Sequence, residues 1–97
     1  MSDLQVVATI PASVEAADQV RAALQTLAEA TRAEEGCLAY DLFESASTPG
    51  TFVTVERWTD AAALDAHMAT PHVAEAFAAA AGALTGEVAV HPLTPVA

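Results

Sequence analysis

Apolar residues recur along the chain with a period that switches between two and about three and a half, and the switches divide it into elements. Leu4 to Ile10 (LQVVATI) is short, rich in β-branched residues and closed by Pro11, which predicts a first strand. After a turn over Pro11 to Ser13, Val20, Leu24, Leu27 and Thr31 fall on one helical stripe, with Glu15, Asp18, Arg21, Glu29 and Arg32 off it. That spacing predicts an amphipathic helix of about five turns, with Ser13 as its N-cap and Gly36 as its stop. Cys37 to Glu44 and Thr51 to Trp58 read as the second and third strands, and Pro49-Gly50 between them supplies the turn of an antiparallel hairpin. Asp60 to Met68 and Pro71 to Leu84 read as helical, the latter with proline in its first turn after Thr70. Val73, Phe77 and Leu84 form its expected buried stripe, and Glu87 to Leu93 closes the series as a last strand.

The order β-α-β-β-α-β predicts an α+β fold of the ferredoxin-like kind, a four-stranded antiparallel sheet with helices on one face only. The other face then decides the assembly. Leu4, Val6, Ala8 and Ile10 share one side of the first strand with Val7 opposite, while Phe52 and Trp58 oppose Val53 and Val55 on the third. Neither side is plainly polar. An apolar sheet face of several hundred square ångströms calls for a cover, so the expected state is a homodimer built sheet against sheet.

Ninety-seven residues suffice for one core, and residues 1–97 are read as a single domain. Thirteen acidic residues against three arginines and no lysine give a net charge of -10, which repels nucleic acid and anionic membrane surfaces. The first residues lack a basic, then apolar, secretory leader, and no stretch reaches the roughly 20 apolar residues of a membrane span, so a cytoplasmic location is expected. Cys37 is the sole cysteine, which leaves no intrachain disulfide and no thiolate cluster; it reads as small apolar filler.

Five residues carry candidate chemistry. His67 lies on the helix after Trp58 and is the candidate base or hydrogen-bond donor. His72 follows five residues later, which on an unbroken helix is about 140° around the axis. Neighbouring sequence supplies no Asp, Glu or His at ligand spacing, so no metal site is expected. Glu56 and Trp58 share a side of the third strand and are candidates to line a pocket, as is Tyr40, which alternates with Asp41 on the second. Phosphate-binding loops, nucleophile elbows and nucleotide fingerprints are absent from the sequence. These residues alone leave open an enzyme or a non-catalytic dimer that binds a small apolar metabolite.

Glu35-Gly36-Cys37-Leu38-Ala39-Tyr40, then Pro49 and Phe52, Glu56-Arg57-Trp58, Ala63-Leu64 with His67, and Pro71-His72 resemble, in order and spacing, the antibiotic biosynthesis monooxygenase domain family. The likeness is closest to its small quinol monooxygenase-like members and runs over nearly the whole chain. It implies a dimeric α+β barrel with a pocket between sheet and helices in each subunit. It also implies oxidation of quinols, anthrones or related aromatics by molecular oxygen without cofactor or metal. His67 is then the expected catalytic base, with His72, Trp58, Tyr40 and Glu56 around the substrate. The haem-degrading branch of the same superfamily carries an Asn on the first strand and a helical Trp; the first strand here has no Asn and His67 stands in place of that Trp, which argues against haem degradation.

Overall fold

The computed structural model describes residues 3–97. Four strands, β1 (Leu4–Pro11), β2 (Cys37–Glu44), β3 (Thr51–Trp58) and β4 (Ala89–Pro92), and three helices, α1 (Ala17–Arg32), α2 (Ala61–Met68) and α3 (Pro71–Ala80), follow in the order β1-α1-β2-β3-α2-α3-β4. The strands form one antiparallel sheet in the spatial order β2-β3-β1-β4. This is the ferredoxin-like α+β arrangement, in which the first and third strands lie side by side at the centre.

Local chemistry accounts for the element ends. Asp60 caps α2 by accepting from the Ala63 N–H at 2.9 Å, and Thr70 caps α3 ahead of Pro71 by accepting from Val73 N–H. The start of α1 differs from expectation. Val14–Ala16 form a single 3-10 turn, and the Ser13 side chain caps nothing. Its backbone is used instead, the N–H donating to Ala83 O at 2.8 Å and the carbonyl accepting from Ala16 N–H. The third helix also ends early, at Ala80, with a 3-10 turn over Ala81–Ala83, and the last strand is trimmed to Ala89–Pro92. Gly82, Thr85 and Gly86 offer little helix propensity there, and Thr85 N–H is taken by Pro11 O at 3.0 Å.

The stripe expected on α1 faces inward as read: Val20, Leu24, Leu27 and Thr31 are all buried. Val20, Leu24 and Leu27 pack on Ile10 and Phe52 from the sheet and on Val73, Ala76 and Ala80 from α3. A second cluster at the other end joins Val6, Ala28, Tyr40, Trp58 and Leu64. Strand alternation sends Val6, Ala8, Ile10, Phe52, Thr54, Glu56 and Trp58 to this covered face. Val7, Phe43, Val53 and Val55 occupy the opposite face, where Val7 pairs with Val55 and Phe43 with Val53 across the sheet. No helix among the described residues is long and apolar enough to cross a membrane.

Gly36 fixes how α2 docks. Its φ of 91° lies in the region that favours glycine, and a Cβ there would sit 2.7 Å from the Ala63 Cβ on α2. Its carbonyl accepts from Thr59 N–H at 2.9 Å, holding the start of α2 against the end of α1. Gly36→Ala is therefore expected to cost roughly 1–3 kcal/mol, from a left-handed backbone and an overpacked contact together. Urea unfolding checks it; an unchanged midpoint would show that α2 yields freely at this contact.

Candidate active site

Three elements bring polar side chains into the space between sheet and helices. His67 lies on the inward side of α2 and is 4% exposed, because the helix presents it with Leu64 to the sheet. Its ring stands 4.8 Å from that of Trp58 and 5.8 Å from that of Tyr40, both tilted. His72 sits in the first turn of α3, with its ring 6.1 Å from that of His67. Five residues of separation and a break at Thr70-Pro71 thus bring the two imidazoles together rather than spreading them around one axis.

Glu34 joins them. Its Oε2 lies 2.6 Å from His67 Nδ1 and 2.7 Å from His72 Nε2. The expectation that no Asp, Glu or His completes the histidine pair is overturned in its geometry: the carboxylate comes from 33 and 38 residues away, which local spacing cannot reveal. One signal was present in the sequence. Glu34 and Glu35 follow the C-terminal end of α1, the negative end of the helix dipole, where a carboxylate is disfavoured unless something else holds it.

A carboxylate accepts, so His67 donates through Nδ1–H and His72 through Nε2–H. In the neutral imidazole that tautomer leaves a lone pair on His67 Nε2, the ring nitrogen not bonded to Glu34. The arrangement is that of a carboxylate-oriented imidazole base. Glu56 makes a second, separate network: Oε2 accepts from Thr54 Oγ1–H at 2.6 Å and Oε1 from Trp58 Nε1–H at 2.9 Å. This buried carboxylate, 5% exposed, therefore has both oxygens occupied and fixes the Trp58 ring beside His67.

Between the two networks is a small cavity. Thr54, Glu56, Tyr40 and His67 give it polar groups, and Leu27, Met68, Val73 and Phe77 are among its apolar walls. The space open to the centre of a water-sized molecule is about 20 Å3, enough for a water but not for an aromatic ring with the side chains as they stand. Met68, 43% exposed and flexible along its chain, closes one side. Of the five residues singled out in the sequence, His67, Glu56 and Tyr40 line this cavity; Trp58 backs it through His67 and Glu56, and His72 stands behind Glu34, lining an outer groove with Leu27 and Glu75 instead.

Burial pushes the Tyr40 phenol well above its ordinary value, and the charges of Glu56, Cys37 and Glu34 add to the effect. Tyr40 is consequently a neutral hydroxyl throughout the neutral range. The native state keeps this proton where the unfolded chain loses it, so stability is expected to fall as pH rises past about 10. Urea midpoints at rising alkaline pH, compared with Tyr40→Phe, measure that fall. The slope left in the variant belongs to the Cys37 thiol, also pushed up by its burial; identical slopes in both proteins would remove Tyr40 as a cause.

Residues 4–79 match the family model described as antibiotic biosynthesis monooxygenase. The chain belongs to this family. Among monooxygenase-family relatives, the Mycobacterium tuberculosis protein named "Putative monooxygenase Rv0793" is 39% identical over 95 residues, covering 98% of this chain and 93% of its own. The solved structure of Rv0793 superimposes with a TM-score of 0.87, at 38% identity over 99% of this chain and 97% of that one. A crystal structure described only as an antibiotic biosynthesis monooxygenase gives 0.90, at 38% identity over 97% and 99%. PA3566 from Pseudomonas aeruginosa gives 0.86, at 34% identity over 100% and 97%. Membership of the antibiotic biosynthesis monooxygenase family thus rests on both sequence and fold, and it supports a monooxygenase-like function.

Proposed function

We propose that the protein oxidises a quinol- or anthrone-like aromatic with molecular oxygen, with His67 as the base. The observation that carries this reading is the Glu34–His67 pair, 2.6 Å apart, at the edge of a cavity with mostly apolar walls. In the proposed reaction His67 Nε2 takes the acidic proton of the substrate, and Glu34 stabilises the imidazolium that forms. The resulting anion is electron-rich enough to reduce oxygen itself. For an anthrone the CH2 carbon becomes a carbonyl with one oxygen atom, and the other leaves as water. The substrate supplies all four electrons, so the reaction needs no external reductant and no bound cofactor. The protein's part is to favour the anion and exclude water.

Substrate entry then requires lining side chains such as Met68 and Phe77 to move, and Tyr40, which also lines the cavity, is the proposed donor to a substrate oxygen. The same reading includes a homodimer. The Val7, Phe43, Val53 and Val55 face, with Phe43 and Val55 54% and 44% exposed, supports packing of one sheet on another.

Oxygen uptake by chelator-treated protein across hydroquinones and anthrones, corrected for autoxidation, tests the proposal. Protein-dependent uptake is the expected result. Saturable binding of the same compounds without uptake would replace the enzyme by a non-catalytic binding dimer for small apolar metabolites.

A further inference from the structure

The cluster of Glu34, His67 and His72 has a property that its role in orienting a base does not use. Its three donor atoms, one carboxylate oxygen and two imidazole nitrogens, lie within 4.8 Å of one another. Glu34 is a largely buried carboxylate, its side chain 13% exposed, and no arginine neutralises it. All three arginines are engaged elsewhere: Arg21 with Asp18 and Glu44, Arg57 with Asp3, and Arg32 with the Tyr40 carbonyl. Among the described residues, the side chains that face this anion are two imidazoles.

We propose that Glu34, His67 and His72 form a binding site for one divalent transition-metal ion of the zinc class. Two histidines and a carboxylate are a donor set suited to such an ion, with water in the fourth position. Bonds of about 2.0–2.2 Å space tetrahedral donors roughly 3.3 Å apart. The two N···O distances of 2.6 and 2.7 Å must therefore open by roughly 0.6–0.7 Å, and the nitrogens must turn toward a common point. His72, its side chain 27% exposed, has room for its share of that adjustment, the Glu34 carboxylate must turn from His67 for the rest, and the same exposure gives the ion its way in. A neutral imidazole frees its lone pair at the metal by moving its hydrogen to the other ring nitrogen.

That shift has a consequence, which rests on the reading of His67 as the base. Metal on Nδ1 requires the hydrogen on Nε2, the nitrogen that would otherwise accept the substrate's proton. The bound ion therefore silences the base instead of assisting it. Zinc acts as a reversible inhibitor of the proposed oxygenase, relieved by chelator.

Binding is measured first and without substrate, by titrating Zn2+ into metal-free protein against a chromogenic chelator, with Co2+ absorption reporting the coordination geometry. The expected result is one ion per chain, a tetrahedral Co2+ spectrum, and affinity weakened at least about tenfold in both Glu34→Gln and His72→Ala. His91→Ala, at an exposed position of β4, is expected to bind as the parent does. Circular dichroism of each variant separates lost ligation from lost folding, and His72→Ala, at the most exposed of the three ligands, is the variant best able to keep its fold. Equal affinity in the parent, Glu34→Gln and His72→Ala, or no binding at millimolar Zn2+, would overturn the site and leave a hydrogen-bonded cluster only. Zinc binding with no oxygen uptake under any metal condition would uphold the site while refuting the proposed reaction.

Discussion

His67→Ala lowers the rate of protein-dependent oxygen uptake by about a hundred- to ten-thousandfold, the usual worth of a positioned general base. The expectation follows from where the imidazole stands. Its Nδ1 is held by Glu34 at 2.6 Å, so the ring cannot rotate freely, and the remaining nitrogen belongs to a ring that lines the cavity. A buried histidine flanked by Trp58 and Tyr40 also packs, and its removal opens a space the size of an imidazole. That space supplies the decisive control. Imidazole added in solution is expected to restore part of the lost rate in His67→Ala, with dependence on the concentration of its neutral form, whereas a packing defect would not respond in that way. A folded variant with unchanged uptake would remove His67 from the chemistry altogether.

Trp58→Ala is expected to cost about 3–5 kcal/mol from packing alone. Trp58 is wholly buried at the end of β3, in the cluster with Val6, Ala28, Tyr40 and Leu64. It also donates to Glu56 Oε1 at 2.9 Å, and leaving that oxygen unpaired in the interior adds about 1–3 kcal/mol. Set against the roughly 5–15 kcal/mol that holds a domain together, the combined loss brings the variant close to unfolding at ordinary temperature. Trp58→Phe separates the two contributions, since it keeps most of the packing and loses the donor; a loss of about 1–3 kcal/mol is expected for it. Denaturant unfolding of the pair gives both values. A loss below about 1 kcal/mol in Trp58→Ala would mean that the cluster does not hold this end of the sheet.

The chain's binary pattern determined the elements, since each is specified by residues within itself. Three strands and α2 fall within a residue of their sequence-read limits, because alternation, a proline or glycine at the end, or the Asp60 cap marks them locally. The local code is weak after Phe77. The alanine-rich stretch there predicts a helix to Leu84, but the helix ends at Ala80, where backbone groups of the following turn bond instead to Pro11 and Ser13. Ser13, the expected cap, makes no side-chain cap bond; its backbone N–H donates to Ala83.

His67, Glu56, Trp58 and Tyr40 stand out in the sequence as candidates, and the structure buries all four between sheet and helices. Glu34 does not stand out in this way. Its meeting with His67 and His72 depends on how the end of α1 lies against the α2–α3 corner, a geometry set by Gly36 and Ala63 in contact rather than by any spacing along the chain. The sequence by itself determined where the elements lie and which of them carry the polar groups. Only the tertiary structure decided which of those groups share a proton, because hydrogen bonds act over about 3 Å and join residues that the chain keeps far apart.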